Sequence, residues 1–466
     1  MYITTTIPYV NARPHLGFAL ELVQADVLAR HHRRRGEPVR FQTGTDDNSL
    51  KNVLAAEAEG VPVRELVDRN AAAFEGLRET LDLSFDSFIR TSAHPGHRPG
   101  VERIWRAIGH DLYQRHYEGL YCVGCEQFYT EGPCPDGHEA PLQRVSEENW
   151  FFRLSRYQDE LLDLVKSGRL TIEPAARRNE VLAFIEAGLD DISVSRSAAR
   201  ARGWGIPVPD DPGQVVYVWW DALANYVTAL DDGGDYERWW VREPRKVHLM
   251  GKGVIRFHAV YWPAMLLSAG LPLPTAIFVH DYLTVDGRKI SKSSGNAADP
   301  VALVDAYGVD AVRWWLLREV PRVGDADFTE ARLIARADED LANGLGNLVS
   351  RVATMVHRFL DGHVPPAGEP LVEVSVDEAL AEFDFRRAAK GVWEIVEEAN
   401  RYVERTRPWR QARGEQEASL GRLVGACRAL AVQLEPFLPT AAARVAAAVG
   451  GDRLSRPEPL FPRRAG

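Results

Sequence analysis

The sequence predicts an α/β protein in which an insertion interrupts a parallel β-sheet and a helical bundle follows the sheet. Three observations lead to this prediction: a strand, helix and strand at the N-terminus, a cysteine-rich stretch in the first third, and long helical periodicity in the last third. The chain has 466 residues, 45% of them hydrophobic. That length is enough for roughly two to four domains.

The N-terminal pattern begins at Tyr2–Ile7, whose β-branched residues predict a buried strand. Apolar residues then recur at helical spacing from Leu16 to Leu28, and Gly36 ends that pattern. A second strand is predicted at Val39–Thr43. Strand, helix and strand in this order predict a parallel sheet, whose ligand site lies beyond the carboxyl ends of its strands.

The middle of the chain interrupts this sheet. From about Tyr117 to Arg144 the pattern becomes loop-rich, which predicts an insertion too small for a hydrophobic core of its own. Strand-like segments return at Val215–Trp219, Val247–Met250 and Ile277–His280. They predict that the sheet resumes after the insertion.

The last third of the chain is helical in pattern. Apolar residues alternate four and three apart from Leu341 to Phe359, and further helices are predicted at about 377–404 and 415–449. These helices form a predicted C-terminal bundle, with Pro365 and Pro366 in one of its loops.

Charge and hydropathy exclude several classes of protein. The 56 basic and 66 acidic residues give a net charge of -10, so any RNA contact is expected to be local. No apolar run is long enough to cross a bilayer, and the N-terminus lacks the features of a signal peptide. We therefore expect a cytoplasmic protein without membrane contact.

The cysteine-rich stretch has the spacing of a metal site. Cys122, Cys125, Cys134 and His138 form two paired hooks that match the ligands of a tetrahedral structural zinc ion. A closed zinc site of this kind folds a small insertion, and we favour it over a catalytic metal. The fourth cysteine, Cys427, lies in an apolar helical context and is predicted to be core.

Two short motifs suggest nucleotide chemistry. Pro14, His15 and Gly17 form a turn at the start of the first helix, where backbone N–H groups and the helix dipole favour a phosphate. Lys289–Ser293 holds two lysines three residues apart, which suits a mobile clamp on a triphosphate. Taken singly, a capping turn and a solvated basic loop explain them as well. Their joint placement before and after a split sheet is more specific.

These motifs resemble the His-Ile-Gly-His and Lys-Met-Ser-Lys-Ser signatures of class I aminoacyl-tRNA synthetases, and the chain is most similar to the methionyl-tRNA synthetase family. The similarity covers nearly the whole chain and includes Ile7–Asn11, Gln24–Asp26, Gly44–Asp46, Tyr217–Trp219, Phe257–His258 and Trp262–Met265. It implies a split Rossmann-like catalytic domain with a zinc-knuckle insertion and a C-terminal all-α anticodon-binding bundle.

The resemblance also implies domain boundaries and ligands. The expected domains are the first half of the catalytic domain at 1–112, the connective insertion with the zinc knuckle at 113–212, the second half at 213–275, the lysine-loop linker at 276–335 and the anticodon-binding domain at 336–466. The expected ligands are ATP with Mg²⁺, L-methionine, tRNA with a CAU anticodon and a structural Zn²⁺. A monomer is expected, because no appended dimerisation domain follows the bundle.

Site residues follow from the resemblance, position by position. It implies catalytic roles for His15, Lys289 and Lys292. The implied ATP-binding residues are Pro14, His15, Gly17, Phe18, Lys289, Ser291, Lys292 and Ser293. The implied methionine pocket is Ile7, Tyr9, Trp219, Ala222, Leu223, Tyr226, Val254 and His258, with Asp46 for the α-amine. Other implied positions are Arg196 and Gly253 in the active site and Asn347, Arg351, Pro408 and Trp409 for the anticodon.

Taken without the resemblance, the residues allow simpler interpretations of three aromatic positions. Trp219 and Tyr226 would be core residues of a strand and a helix. Trp409, among Arg401, Arg405, Arg407 and Arg410, would close the bundle beside a solvated charge run.

The chain departs from the family pattern near the expected active site. Phe18 stands where the signature has its second histidine, Asn48 and Ser49 replace a His-Gly pair, and Gly253 replaces an aspartate. The predicted function is ATP-dependent activation of methionine and its transfer to tRNA(Met). One alternative is a divergent paralogue that activates a related amino acid or uses a non-tRNA acceptor. The other is a catalytically weak RNA-binding paralogue.

Overall fold

The computed structural model describes residues 1–122, 127–129, 133–134, 142–230, 233–285, 287–290, 298–454 and 459–461, with the backbone alone at 127–129 and 289. The chain divides into two compact units. Unit 1 comprises Met1–Pro14, Val39–Gly76 and Phe85–Val279, and unit 2 comprises His15–Pro38, Leu77–Ser84 and His280–Gly466.

The strands, numbered in chain order across the described residues, are β1 Tyr2–Thr5, β2 Arg40–Thr45, β3 Ser87–Arg90, β4 Leu112–Cys122, β5 Gln127–Tyr129, β6 Gln143–Phe152, β7 Thr171–Glu173, β8 Ile192–Ser193, β9 Ser195–Ser197, β10 Pro207–Val208, β11 Asp211–Val216, β12 Lys246–Gly251, β13 Ala276–His280, β14 Leu283–Val285, β15 Arg288–Lys289 and β16 Ala326–Phe328.

The α-helices are α1 Leu16–Arg34, α2 Leu50–Glu59, α3 Val63–Glu75, α4 Leu77–Thr80, α5 His97–Ala107, α6 Gln158–Lys166, α7 Ala175–Glu186, α8 Val218–Leu223, α9 Asn225–Thr228, α10 Trp262–Ala269, α11 Pro300–Tyr307, α12 Val309–Arg318, α13 Glu330–Arg336, α14 Asn347–Leu360, α15 Asp377–Ala381, α16 Phe385–Thr406, α17 Arg413–Leu434 and α18 Pro439–Val449. Wider, π-type turns occur at Tyr236–Arg242, Phe257–Tyr261 and Ala337–Gly346. Tight 3-10 turns occur at Gly109–Asp111, Leu154–Tyr157, Lys252–Val254 and Pro408–Arg410.

Unit 1 is built on a six-stranded sheet of order β3-β2-β1-β12-β13-β7. Strands β1 and β2 pair in parallel on either side of α1 in the sequence, which confirms the predicted strand, helix and strand. Strand β12 pairs in parallel with β1, so the sheet does resume late in the chain. Every residue of β1 is buried, as its β-branched and aromatic composition predicts.

One sequence prediction about this sheet was wrong, and one of its strands was not predicted. The segment Val215–Trp219 does not rejoin it, because β11 ends at Val216 and pairs antiparallel with β9 and β10 in a separate small sheet. Strand β7 was missed, although it pairs in parallel with β13 at the sheet edge. The run Val215–Trp219 is apolar, but its composition does not encode which strand will pair with it. Strand β7 has only three residues, which is too few to show a periodic pattern.

The stretch predicted to be loop-rich is dominated by a long hairpin in its described part. Strands β4 and β6 pair antiparallel from Leu112 with Phe152 to Tyr121 with Gln143. Strands β5 and β8 extend this sheet on either side. The paired strands satisfy backbone groups that a loop would leave to solvent.

Unit 2 contains α1, the three-stranded sheet β15-β14-β16 and the C-terminal helices. Each of the two long helices predicted near the C-terminus is divided in the structure. The first is broken at Phe383, whose φ is 55°, and Asp384 then caps α16 by accepting the Arg387 N–H. The second is broken at Pro436 and Pro439, because proline cannot continue a helix.

A buried arginine joins distant segments of unit 2. Arg313 on α12 is fully buried, and its Nη2 donates to Asp26 Oδ2 of α1 at 2.8 Å. Its remaining N–H groups reach the carbonyls of Phe437 and Leu81 at 2.8 and 2.9 Å. Asp26 also accepts the Ser84 N–H at 2.7 Å. This network satisfies a buried ion pair on both sides, which is the condition for tolerating one.

Within the described part of the chain, no helix has the combination of length and hydropathy needed to cross a membrane.

Candidate active site

Two loops of unit 1 meet beyond the carboxyl ends of β1 and β2. Ile7 and Tyr9 follow β1, and Asp46 follows β2. A parallel backbone bridge pairs Tyr9 with Asp46, and the Asp46 N–H donates to the Pro8 carbonyl at 2.9 Å. Asp46 is 1% exposed. It is a buried carboxylate at the sheet edge where open α/β proteins bind their ligands.

Aromatic rings surround Trp219, which lies in α8 of the same unit. The Trp219 ring stacks on Phe257 with centroids 3.9 Å apart. The rings of Tyr9 and His258 meet Trp219 edge-on, at 6.1 and 6.4 Å. Such ring faces give a polarizable apolar surface that suits a thioether side chain.

The aliphatic residues Ile7, Ala222 and Leu223 of the predicted pocket come from the same loop and helix as Tyr9 and Trp219. Ile7 and Ala222 share a small buried cluster with Ile89 and Ala229. Leu223, the next residue of α8, is buried in the main core of unit 1. The structure therefore brings residues from the start and the middle of the chain to one place.

A hydrogen-bond relay fixes the proton on the Tyr226 hydroxyl. His258 Nδ1 lies 2.9 Å from the Val254 carbonyl, which can only accept, so Nδ1 is the protonated nitrogen when the ring is neutral. His258 Nε2 then accepts from the Tyr226 hydroxyl at 2.7 Å. The Tyr226 oxygen consequently offers lone pairs, and not a proton, to any further partner.

His248 on β12 underlies the Tyr226 ring at a centroid separation of 4.2 Å. Burial lowers the pKa of His248 well below its usual value, and the nearby His258 and Lys246 add to the shift. His248 is therefore uncharged at neutral pH. Its Nδ1 lies 2.6 Å from Thr4 Oγ1, which fixes the orientation of the ring.

A buried hydrogen-bond chain ties the loop after β2 to α8. Asn48 Nδ2 donates to Asp221 Oδ2 at 2.7 Å, and Asp221 Oδ1 lies 2.5 Å from His97 Nε2. His97 Nδ1 lies 2.6 Å from Thr228 Oγ1. These four residues are 0 to 9% exposed. Asp221 and Trp219 both belong to α8. These hydrogen bonds therefore also hold Trp219 and the rings around it against the loop after β2.

The three departures from the family pattern lie in different environments. Asn48 belongs to the buried chain just described, Phe18 is buried in α1, and Gly253 is exposed in a tight turn. The neighbouring Asp47 accepts from the Ser92 hydroxyl at 2.7 Å, and burial raises the pKa of its carboxyl. Asn48 and Asp47 are therefore bound into the fold of unit 1.

Arg196 on β9 stacks its guanidinium over the Tyr217 ring, 4.1 Å from the ring centroid. Its Nη1 donates to the carbonyls of Ser193 and Ser195 at 3.2 and 2.7 Å. Since Tyr217 directly precedes α8, these contacts support the start of that helix. Contact between Arg196 and a substrate stays a prediction.

In unit 2, a backbone hydrogen bond joins the histidine turn to Ala298, five residues after the lysine segment Lys289–Ser293. The Leu16 N–H, at the first residue of α1, donates to the Ala298 carbonyl at 2.9 Å. His15 precedes α1 in an extended conformation, and a Cβ at Gly17 would lie 3.0 Å from the His15 ring. Gly17 thus leaves room for the imidazole at the helix N-terminus. Pro14, which directly precedes His15 and belongs to unit 1, is buried.

Of the lysine segment Lys289–Ser293, only the first two residues are described. Lys289 ends β15, which pairs antiparallel with β14 across a turn at Gly287. The φ of Gly287 is 72°, a left-handed conformation that favours glycine. Ser291, Lys292 and Ser293 lie outside the described residues, so their contribution stays a prediction.

Three of the four predicted anticodon-binding residues, Arg351, Pro408 and Trp409, lie at the C-terminal end of α16. Asn347 begins α14 and is exposed, and Arg351, one turn later, pairs with Glu404 of α16 at 2.7 Å. Pro408 is buried directly after α16, whereas Trp409 is 43% exposed. An exposed indole of this kind suits stacking on an unpaired base.

The basic run around Trp409 is partly neutralised within α16. Arg401 and Arg405 both lie near Glu398, at 3.0 and 3.5 Å. Part of the run is therefore the solvated, ion-paired helix face that the residues alone also allowed.

Two of the four predicted zinc ligands fall within the described residues. Cys122 ends β4, and both Cys122 and Cys134 are buried. Cys125 and His138 lie outside the described residues, and the residues that are described contain no group of three or more potential ligands. Cys427 is buried in α17, where burial raises the pKa of its thiol to about 12, as expected for a core cysteine.

Sequence reasoning missed Asp221, His97, Thr228 and His248. Asp221 directly follows the Trp219 and Trp220 pair, so an acid beside a recognised motif was the one available signal. His97 gave none, because its partners lie more than 100 positions away in the sequence.

Comparison with protein families defines the class of this chain. The family model described as tRNA synthetases class I (M) matches residues 1–144 and 138–353. The model described as the anticodon binding domain of methionyl tRNA ligase matches residues 373–461. The parallel sheet, the histidine turn and these matches together define a class I aminoacyl-tRNA synthetase.

Individual relatives show to which family of class I aminoacyl-tRNA synthetases the chain belongs. The chain is 40% identical to the methionine–tRNA ligase of Caldanaerobacter subterraneus, over 99% of this chain and 78% of that protein. The Brucella suis methionine–tRNA ligase is 39% identical over 99% of this chain and 97% of its own length. A solved structure of Mycobacterium tuberculosis methionyl-tRNA synthetase in complex with methionyl-adenylate has a TM-score of 0.92 and 37% identity, and covers 99% of both chains. The chain belongs to the methionyl-tRNA synthetase family.

Proposed function

We propose that this chain activates L-methionine with ATP to form methionyl-adenylate and then transfers the methionyl group to tRNA(Met). The single observation that carries this function is family membership at about 40% identity over 99% of the chain. The chain is a methionine–tRNA ligase, and neither a non-tRNA acceptor nor a non-catalytic RNA-binding role is favoured. A cytoplasmic location and a monomeric state remain predictions from the sequence.

The amino acid would bind in unit 1, in the pocket around Trp219. The Asp46 carboxylate would hold the α-ammonium group by a charge-assisted hydrogen bond. The stacked rings of Trp219 and Phe257 would contact the thioether. Tyr226 presents an acceptor oxygen, because its proton is engaged by His258.

The reaction requires positioning and charge stabilisation, and no protein nucleophile. The methionine carboxylate attacks the α-phosphate of ATP and pyrophosphate leaves; a ribose hydroxyl of the tRNA 3′ end then displaces AMP. His15, Lys289 and Lys292 would stabilise charge on the phosphates, and the N-terminus of α1 adds its dipole. Mg²⁺ bound to ATP would neutralise part of the phosphate charge. The bond from Leu16 to Ala298 supports placing both motifs at one phosphate site.

One assay tests this function directly. We expect the chain to catalyse ATP–pyrophosphate exchange with methionine in preference to the other amino acids, and to charge tRNA with a CAU anticodon. The absence of methionine-dependent exchange would overturn the proposal. Exchange without charging would instead favour an acceptor other than tRNA.

We expect His15→Ala to lower the exchange rate about 100- to 1,000-fold, the usual effect of removing one transition-state donor. The KM for methionine should change little, because the pocket around Trp219 lies in another part of the chain. Exchange kinetics with varied methionine measure both quantities. His116→Ala, at an exposed histidine of β4, serves as the control and should leave exchange intact. A loss below threefold in His15→Ala would contradict the assigned role.

We propose that Cys122, Cys125, Cys134 and His138 hold a structural zinc ion. Three thiolates and one imidazole are a donor set that fits tetrahedral Zn²⁺, and Cys122 and Cys134 are buried as such ligands require. The ion would close the tip of the β4 and β6 hairpin and would take no part in the chemistry. The donor chemistry and the hairpin support this site.

We expect about one zinc ion per chain in the purified protein, and its loss in Cys125→Ser. Metal content by atomic emission and thiol titration under native conditions measure this, independently of activity. Cys427→Ala is the control and should keep the metal, because Cys427 is a core residue of α17. A protein without zinc, in which three further thiols react freely, would disprove the site.

A further inference from the structure

Trp204 lies in unit 1, between β9 and β10 and within the predicted connective insertion. It is half-buried, and its indole Nε1 donates to the Asp47 carbonyl at 2.8 Å. Asp47 belongs to the loop after β2, which lies 157 positions earlier in the sequence. The hydrogen bond therefore joins the predicted connective insertion to the loop that contains Asp46.

This hydrogen bond acts on a peptide group that also contacts Asp46. The Asp47 carbonyl shares its peptide group with the Asn48 N–H, and that N–H donates to Asp46 Oδ1 at 3.2 Å. Because a peptide group is planar, a bond that holds its carbonyl oxygen also sets the direction of its N–H. A donor on the carbonyl polarises the group and strengthens the N–H as a donor. Trp204 is thus linked to the Asp46 carboxylate through a single peptide group.

The Asp47 carbonyl also has a local donor. Asn52 on α2 is fully buried, and its Nδ2 lies 2.9 Å from the Asp47 carbonyl oxygen and 3.2 Å from that of Asp46. If the Trp204 N–H were removed, the Asp47 carbonyl would still be hydrogen-bonded, so the cost of a buried acceptor without a partner would not arise. The Trp204 bond therefore matters more for the orientation of the peptide group than for the stability of the fold.

The Trp204 ring is itself held by a neighbouring helix. Arg64 of α3 lies over the ring, with its Cζ 5.3 Å from the ring centroid, where a cation is attracted by the π-system. Arg64 Nη1 also donates to Ser92 Oγ at 2.9 Å, and Ser92 donates to Asp47 Oδ2 at 2.7 Å. These contacts restrict the orientations of the indole and of Asp47 together.

We propose that Trp204 is a positioning residue for amino-acid binding: its indole N–H orients the Asp47–Asn48 peptide group, which in turn orients the Asp46 carboxylate toward the α-ammonium group of the substrate. The inference rests on the proposed function, since it requires Asp46 to receive that ammonium group. Trp204 needs no contact with the substrate for this role. Through it, the predicted connective insertion affects affinity for the amino acid.

The test is Trp204→Phe in the full chain, which removes the N–H and keeps an aromatic ring beside Arg64. We expect the KM for methionine in pyrophosphate exchange to rise about three- to tenfold, the usual effect of losing one hydrogen bond. The KM for ATP and the kcat should be unchanged. The melting temperature should change little, because Asn52 still donates to the Asp47 carbonyl.

The matched control is Trp150→Phe. Trp150 belongs to the same unit, and its Nε1 donates to Asp211 Oδ2 at 2.9 Å, so this variant also loses one indole hydrogen bond. Its KM for methionine should equal that of the unmodified chain. An unchanged KM in Trp204→Phe, or an equal rise in both variants, would overturn the inference.

A substrate analogue separates an effect on Asp46 from general support of the pocket. γ-(Methylthio)butyrate is methionine without its amino group, and we expect its inhibition constant in the exchange reaction to be the same for Trp204→Phe and for the unmodified chain. Equal weakening of methionine and of this analogue would overturn the inference, because Trp204 would then support the pocket as a whole.

A second variant decides the question if Trp204→Phe does not fold. Arg64→Met, at an exposed residue, removes the cation over the ring and should raise the KM for methionine about two- to fivefold. Its control is Arg69→Met, an exposed arginine of α3 that pairs with Glu59. An unchanged KM in Arg64→Met would then overturn the inference. Failure of the unmodified chain to exchange with methionine would instead overturn the proposed function.

Discussion

We expect Asp46→Asn to lower kcat/KM for methionine in pyrophosphate exchange by about 30-fold to a few thousand-fold, the cost of removing one partner of a buried charge pair. Asp46 is 1% exposed, so water cannot replace the lost charge. The variant keeps the shape of the side chain, and its amide oxygen can still accept the Asn48 N–H, which lies 3.2 Å from Asp46 Oδ1. The fold should therefore be retained.

Two comparisons isolate the charge effect of Asp46. The KM for ATP should change little, since the phosphate-binding motifs do not include Asp46. Asp163→Asn, at a carboxylate 68% exposed in the same unit, should leave both constants unchanged. A threefold or smaller effect of Asp46→Asn on methionine would show that another group holds the α-ammonium.

Arg313→Met is expected to destabilise the protein by about 3 kcal/mol, the lower end of the cost of breaking a buried ion pair, because Asp26 keeps a second partner in Arg30, whose Nε lies 2.9 Å from Asp26 Oδ2. Asp26 would keep its charge in a site that is 0% exposed, and the carbonyls of Phe437 and Leu81 would lose their donors. Urea unfolding followed by circular dichroism measures the change.

Two further variants separate this network from a general effect of losing an arginine. Arg332→Met removes an exposed arginine that pairs with Glu319, and should cost less than about 1 kcal/mol. Adding Asp26→Asn to Arg313→Met should restore part of the stability, because the buried charge is then removed as well. A loss below about 1 kcal/mol in Arg313→Met would contradict the role of this network.

Local patterns were sufficient for the first elements of the fold. The β-branched run at Tyr2–Ile7 predicted β1, and the apolar spacing up to Leu28 predicted α1 almost to its last turn. Gly36 marked the end of that helix, and β2 follows it. These features depend on neighbours within a few positions, so the sequence contains the information that decides them.

Pairing between distant segments was not predictable in the same way. Val215–Trp219 has the composition of a sheet strand, yet β11 pairs with β9 and β10, and α8 begins at Val218. Strand β7 is too short for periodicity to reveal. The choice of partner depends on surfaces that exist only after other parts of the chain have folded.

The residues of the candidate site also fall into two groups, those that a local motif predicts and those that only tertiary contacts reveal. Motif matches pointed to His15, Asp46 and Trp219, because each of these predicted ligand-binding residues lies within or next to a short, recognisable sequence signature. The supporting contacts from Asn48 through Asp221 to His97 had no such signature, because they join residues 173 and 124 positions apart in the sequence. The sequence by itself determined the class of protein, its local elements and the identity of its two signature motifs. Only the tertiary structure decided how the pocket is held and which charges are buried in pairs, because those features depend on contacts between residues that lie far apart in the sequence.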